Sequence, residues 1–522
     1  MSGSVIKQPR TSIAIANASV AVQNSAHKCL FVGQKTAAGS ATAGALVTNV
    51  GNEGEEDALF GPSSQLASAI RAFRRINEVS RVDAIALDDS GSGVPRVIDF
   101  TIGGTPTAAG TVTVVAGSER DHSYDIPVLT TDTPTTIAAA IVAAITADTK
   151  CPFSAGNVAG AVTLTAENDG TLANMLGVEV DISDAAGVTL AVAVTETTPG
   201  SVDPTLTSVL DVATLRYQGV NWPYSAVTVL TAWLDPRFNA DNAVLDGVAF
   251  IPLVDTLANL TDGSSGYLDL LNNQNLVVFC DQAESESGYL GPAQNEAGWK
   301  KTAYFMAIRA LRLTEDQSIS LYVVTSASRD QFGGVALASL PYSNTPISFL
   351  PLIASGRGWS DTDIETLFDA GGSVMGVNIA GNTGLVGEVV TTYKTDAASN
   401  PDPTFEFLNY VDTEVAIREY RFNNAKARFA QSRLTQGAVA RNRDMANEAT
   451  IRAFFEKLYK DTSGDDMVLT QAGDEAEAFY KANLDVTLDL DSGTVTATDL
   501  TPIVTQFRNL IMTMKVTFSV GS

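Results

Sequence analysis

The hydrophobic and polar positions of this chain change rhythm several times, and each rhythm predicts a different element. Residues 1–25 are mostly small and polar, with short alternating pairs, Ile13/Ile15 and Val20/Val22, that suit an extended arm better than a helix. Cys29-Leu30-Phe31-Val32 is an unbroken apolar run ending at Gly33, as in a strand covered on both faces. After a Gly/Ala/Thr loop, Pro62 opens a helix in which Leu66, Ile70 and Phe73 recur at helical spacing. A second strand, Val82 to Leu87, stops at Asp88-Asp89-Ser90-Gly91. Strand, helix, strand is the start of an α/β layer.

From Gly91 to Pro204 the chain is dominated by Thr, Val, Ala and Gly. Alternation marks strands at Thr111–Val114, Val162–Thr165 and Val188–Val192, separated by Gly and Asn-Asp-Gly turns, while Ile137, Ile141 and Ile145 form one helical stripe. This predicts a small β-rich domain inserted into a larger one. The α/β pattern then resumes, with strands expected at Ala226–Leu230, Val248–Leu253, Leu276–Phe279 and Ile319–Val324, and helices over Thr302–Leu311 and Asp363–Phe368.

Asn400-Pro401-Asp402-Pro403 is a rigid, non-helical segment. A long helix follows from Phe407, carrying Leu408, Val411, Val415, Phe422, Ala425 and Phe429 on one side, and another spans Ala446–Tyr459. Leu484, Val486, Leu488 and Leu490 alternate with polar residues up to a Ser492-Gly493 turn, a strand entering a hairpin. Met512, Met514, Val516, Phe518 and Val520 alternate to the last residues, which predicts a terminal strand. The fold class is therefore multidomain α+β and α/β. An α/β core (26–90 plus 205–375) carries a β-rich insertion (91–204) and is followed by a C-terminal α+β domain (376–509), with an arm at each end (1–25 and 510–522).

Composition narrows the chemistry. At about 150 residues per domain, 522 residues make roughly three domains. The formal charge of −26 comes from 33 Lys and Arg against 59 Asp and Glu, and a surface this negative repels phosphate backbones and anionic lipid. No nucleic-acid partner is expected. With no run of 18 apolar residues, direct membrane insertion is not expected either. Ser12–Val22 follows Lys7 and Arg10 as a signal core would, but Asn17 and Ser19 interrupt it and it has no leucine. Cys29, Cys151 and Cys280 sit in apolar contexts without metal-type spacing, which reads as three buried thiols.

Catalytic candidates are scarce. His27 and His122 lie in no nucleophile or metal pattern and read as surface or loop residues. Gly33-Gln34-Lys35-Thr36 lacks the glycines of a phosphate loop, and neither Ser92 nor Ser265 has the G-x-S-x-G setting. No catalytic residue, metal ligand or cofactor site is assigned, and the chain is not read as an enzyme.

One stretch opposes the overall charge. Between Ala416 and Arg443 stand Arg418, Arg421, Lys426, Arg428, Arg433, Arg441 and Arg443 against the single acid Glu419. Two readings compete: a solvated helix face balancing acids elsewhere in the fold, or a docking surface for another protein. The extended termini raise the same choice, since such strands either fold back or add to a neighbour's sheet. Ile13, Ile15, Val20 and Val22, with Met514, Val516, Phe518 and Val520, are the candidate interface positions.

The layout resembles contractile phage tail sheath proteins of the Mu-like myophage type. The resemblance is carried by Phe31-Val32-Gly33-Gln34, by Leu59-Phe60-Gly61-Pro62 leading into the Gln65–Ile76 helix, and by the β-rich insertion after Val82–Leu87. Thr391-Thr392-Tyr393-Lys394-Thr395-Asp396 through Asn400-Pro401-Asp402-Pro403, followed by the arginine-rich helix, carries it most specifically. It implies a homo-oligomeric helical sheath of stacked rings around a tail tube protein, bounded by baseplate and tail terminator proteins, assembled in the host cytoplasm and functioning in the virion without a cofactor. It further implies an outward-facing insertion, a C-terminal domain on the tube, and arms exchanged between neighbours. Arg418, Arg421, Lys426, Arg428 and Arg433 then become the tube-facing candidates. The main alternative is an exported surface-layer or adhesin-like protein; an α/β hydrolase with a β insertion would need a serine joined to one of the two histidines.

Overall fold

The computed structural model describes residues 27–51, 54–238, 240, 243–315, 345–377, 381–429, 431–437, 445–463, 470–491 and 493–503. Both proposed arms and the Ile319–Val324 strand lie outside these residues. The described chain forms two compact units, one running to Phe422 and one from Asn423 to Pro502. The division falls inside a helix, whereas the sequence pattern starts the C-terminal domain at residue 376.

The first unit opens with β1 (Lys28–Gln34), β2 (Leu46–Val47), α1 (Glu55–Phe60), α2 (Gln65–Arg74) and β3 (Arg81–Leu87). The insertion follows: β4 (Pro95–Gly104), β5 (Gly110–Ala116), β6 (Ser123–Val128), α3 (Pro134–Ala147), β7 (Phe153–Val158), β8 (Ala161–Asp169), β9 (Val178–Asp181) and β10 (Val188–Thr198). Then come β11 (Gly219–Asn221), α4 (Thr228–Leu234), β12 (Val248–Asp255), α5 (Leu257–Leu260), β13 (Leu276–Glu286), β14 (Tyr289–Pro292) and α6 (Gly298–Glu315). The last elements of this part are α7 (Asp361–Asp369), β15 (Gly372–Val377), β16 (Thr383–Val386) and α8 (Leu408–Phe429), the helix in which the units divide.

Six strands, in the order β3-β1-β11-β12-β13-β15, run parallel. Their apolar runs are continuous because helices cover them: β1 and β3 are buried at every position after the first. Phe73 of α2 packs edge-to-face on Phe31 of β1 at 5.5 Å, and Phe305 of α6 stands between Phe250 of β12 and Phe279 of β13 at 5.3 and 5.2 Å.

The insertion is less separate than its composition suggests. Four strands form their own sheet, β10-β4-β8-β7. The other three pair as β9-β5-β6, and β9 joins β14, the hairpin partner of β13, so core and insertion share one continuous sheet. β13 shows the change of role along its own length. It is buried from Leu276 to Asp281 within the parallel sheet, half-buried or exposed from Gln282 onward, and pairs antiparallel from Ala283.

One expected strand is a helix. Ala226–Leu230 enters α4, where Leu230 and Leu234 are buried one turn apart. An apolar run this short fits either period.

The second unit contains β17 (Arg433–Leu434), β18 (Met445–Ala446), α9 (Glu448–Thr462), α10 (Asp474–Asn483) and the hairpin β19 (Asp485–Asp489) with β20 (Thr494–Thr498). Its small core gathers Ala446, Ile451, Tyr459, Tyr480, Leu484 and Val486. Tyr459 and Tyr480 stack with centroids 4.3 Å apart, and Phe429 meets Phe454 edge-to-face at 5.0 Å.

Candidate interaction surface

The loop before α8 explains where that helix begins. Asp396 Oδ1 accepts from the Asn400 amide at 2.8 Å, closing a tight turn, and the Tyr393 hydroxyl donates to Asp402 at 2.5 Å. Thr392 Oγ1 donates to the Asn273 carbonyl, and Lys394 Nζ to the carbonyls of Leu268 and Ala370, which ties the loop to the core. Pro401 and Pro403 keep the segment out of a helix, and after a turn at Thr404-Phe405 the helix begins at Leu408, whose amide donates to the Val389 carbonyl at 3.1 Å.

The first half of α8 then lies on buried charge. Arg309 of α6 holds Asp412 with two bonds, at 2.5 and 3.2 Å, and donates to the Gln218 carbonyl at 2.7 Å. Arg216 pairs with Glu419 at 2.8 Å. Arg418 bridges to Asp246, and Arg421 is buried. Desolvation, with Arg216 nearby, draws the Arg418 guanidinium down to about 10. These two arginines therefore sit within their own unit, while Lys426, Arg428 and Arg433 are exposed. Nothing local in the sequence separates the two groups, because Asp246 is 172 residues from Arg418. Ile13, Ile15, Val20, Val22, Met514, Val516, Phe518 and Val520 all lie outside the described residues.

The histidines lie in loops, as expected, just before β1 and β6, but both are buried rather than on the surface. His27 and His122 are 5% and 7% exposed. Burial, then the charges of Arg309 and Arg216, push His27 well below its usual value. His122 Nδ1 contacts Asp148 Oδ2 at 2.8 Å, and burial lowers its pKa too, the Asp148 bond opposing.

His122 lines a cavity of about 180 Å³ that also touches Ser68 and Ser118. Both serine hydroxyls are directed elsewhere. Ser118 donates to Glu296 at 3.0 Å, and Ser68 donates to the Gln65 carbonyl while accepting from the Trp299 indole at 2.9 Å. The cavity's charges answer one another: Arg75 and Lys300 pair with Asp121, and Arg71 and Lys150 with Asp57. This is the polar filling of a joint between insertion and core, with no serine aimed at the imidazole. Among the described residues no group of three or more His, Cys, Asp or Glu is placed to hold a metal ion, and no helix is long and apolar enough to cross a membrane. All three cysteines are buried.

No family model matches the chain. A curated protein does. The chain is similar to a Mu-like tail sheath protein. That relative, the Mu-like prophage FluMu tail sheath protein of Haemophilus influenzae, is 25% identical over 404 residues, which cover 75% of this chain and 73% of the relative. Among solved structures, the contracted helical sheath of the anti-feeding prophage matches at TM-score 0.43 and 10% identity, over 98% of each chain. The anti-feeding prophage baseplate matches at 0.41 and 11%, over 99% of each. The contracted sheath complex of the PVC extracellular contractile injection system matches at 0.36 and 12%, over 59% of this chain and 75% of its own. Scores below 0.5 do not establish a shared trace, so the sheath resemblance is borne out by the curated relative.

Proposed function

We propose that this chain is the structural subunit of a contractile tail sheath. The observation that carries the reading is the similarity to the Mu-like prophage tail sheath protein, which spans three quarters of both sequences. Copies stack as rings around a tail tube, and their contraction drives the tube through a host envelope; the assembly belongs to the virion and forms in the host cytoplasm. A head-to-tail contact that does not close generates a helix, which is what a sleeve of identical subunits requires. Two packings of the same rigid bodies then give an extended, metastable state and a contracted one, with no nucleotide consumed. Baseplate and terminator proteins bound the sleeve at its ends.

Two surfaces serve this assembly. Residues 1–25 and 510–522 act as arms that add strands to neighbouring subunits by β-augmentation. The exposed cations Lys426, Arg428 and Arg433 face the tube, where they meet acidic groups.

The test is assembly. The full chain, co-expressed with its tube protein and viewed by negative-stain microscopy, is expected to form striated sleeves. Deleting residues 1–20 is expected to leave a folded, soluble subunit that forms none. Normal sleeves from the truncated chain would reject arm exchange, and the absence of ordered assemblies from the intact chain with its tube would reject the sheath reading.

A further inference from the structure

The winding of the parallel sheet creates a place that this chain uses in an unusual way. From β1 the chain crosses to β3 on one side, and after the insertion it returns to β11 on the other. In open sheets of this winding, ligands bind in the crevice beyond the carboxyl end of the strand where the order turns, facing the next helix N-terminus. Here the insertion fills it. Asn168, near the end of β8, accepts through Oδ1 from the Gln65 amide at the start of α2, at 2.9 Å. Its Nδ2 donates to the Lys35 carbonyl just past β1, at 3.2 Å, and to Asp89 Oδ1 just past β3, at 3.1 Å. Gln34, the last residue of β1, donates through Nε2 to the same Asp89 oxygen and to the Asp169 carbonyl, each at 2.7 Å. The Gln34 amide donates in turn to Gln65 Oε1 at 3.0 Å, an approach open only beside glycine, since a Cβ on Gly33 would lie 2.0 Å from that oxygen.

We propose that Asn168 is the positioning residue that docks the insertion on the core, standing where such a sheet would otherwise receive a ligand and joining α2, β1 and β3 at one point. The requirement is chemical. The position needs an acceptor for a helix amide and two donors for a carbonyl and a carboxylate, and within this volume only a primary amide has them. Asn168 and Gln34 are 8% and 0% exposed, so lost bonds there are not replaced by bulk water. Burial also raises the pKa of Asp89, opposed by the bonds from Asn168 and Gln34, which is the setting of a carboxylate that depends on its donors. The consequence is a core whose ligand crevice is closed from within and an insertion that follows the core as one body. The inference rests on the joint alone and stands whether or not the chain builds a sheath.

The experiment uses amide hydrogen exchange on the full chain. Asn168→Asp keeps the shape and the acceptor but removes both donors and sets a second carboxylate against Asp89. The Gln65 and Gln34 amides are expected to exchange about tenfold faster or more, the size of effect that a stranded buried polar group produces. Adding Asp89→Asn supplies the donor from the opposite side and is expected to restore most of the protection. Unchanged exchange in Asn168→Asp, or no restoration by Asp89→Asn, would overturn the proposal. If the single variant proves insoluble, recovery of soluble chain by the double variant supports the pairing, and failure to recover it counts against it.

Discussion

At the scale of single residues, several buried charges of this molecule are answered by partners far away in sequence. Arg309 finds Asp412 and Arg216 finds Glu419, over separations of 103 and 203 residues. Burial, then the charges of Arg309 and Arg216, push the His27 pKa well below the ordinary histidine value, which gives stability a pH dependence of definite sign. The unfolded chain takes up a proton on this imidazole near pH 6.5, whereas the folded chain does not. Protonation therefore favours unfolding, and the His27 contribution is lost as pH falls below about 6.5. Urea unfolding at pH 7.5 and 5.5, with His27→Gln as the reference, measures it: the wild-type chain is expected to lose more stability on acidification than the variant. Equal losses would show that His27 is not kept neutral. The burial of both histidines was not legible, because Lys28 and Asp121 beside them suggest exposure while the enclosing residues are distant in sequence.

At the scale of elements, legibility followed periodicity. β1, β3, α2, α3, β12 and the β19–β20 hairpin appear where the apolar rhythm placed them, since each has a long run or a clean period. Polar elements escaped. α10 carries Asp474, Glu475 and Glu477 in its first turn and buries only Tyr480, so there is little stripe to read. α4 escaped for the opposite reason, a short apolar run without period. Pairing between strands was invisible, and with it the sheet shared by insertion and core. Helix caps are local in sequence. Asn447 accepts from the Thr450 amide at 2.9 Å, and Thr450 Oγ1 accepts from the Asn447 amide at 2.9 Å, a capping box that starts α9 in the small second unit. Asn447→Ala is expected to destabilise that unit by about 1 kcal/mol, and Asn447→Asp by much less, because aspartate still accepts and favours a helix N-terminus. Differential scanning calorimetry, reading the transition of the second unit, checks the order. Equal effects from the two substitutions would argue against the cap as the cause.

At the scale of the whole molecule, a chain of net charge −26 attracts an acidic partner only where the sign reverses locally. The sequence located that reversal between Ala416 and Arg443 but could not divide it, since Arg418 is drawn in by Asp246, a partner that local spacing does not reveal. The division changes which substitutions test the tube contact. Arg418→Glu would set a carboxylate against the buried Asp246, and removing one member of a buried pair typically costs 3–5 kcal/mol, so its failure to assemble would report a damaged fold. Lys426→Glu, Arg428→Glu and Arg433→Glu together act on exposed side chains and are expected to leave the melting temperature within a few degrees of wild type while abolishing sleeves on tubes. Raising the salt should weaken the wild-type contact in the same direction, because exposed charges are screened over about 8 Å at physiological ionic strength and over less in stronger salt. Sedimentation of tubes with sheath subunits, across a salt series, separates the outcomes. Loss of co-sedimentation in a normally melting triple variant supports an electrostatic tube face, and undiminished co-sedimentation would move the contact to another part of the chain.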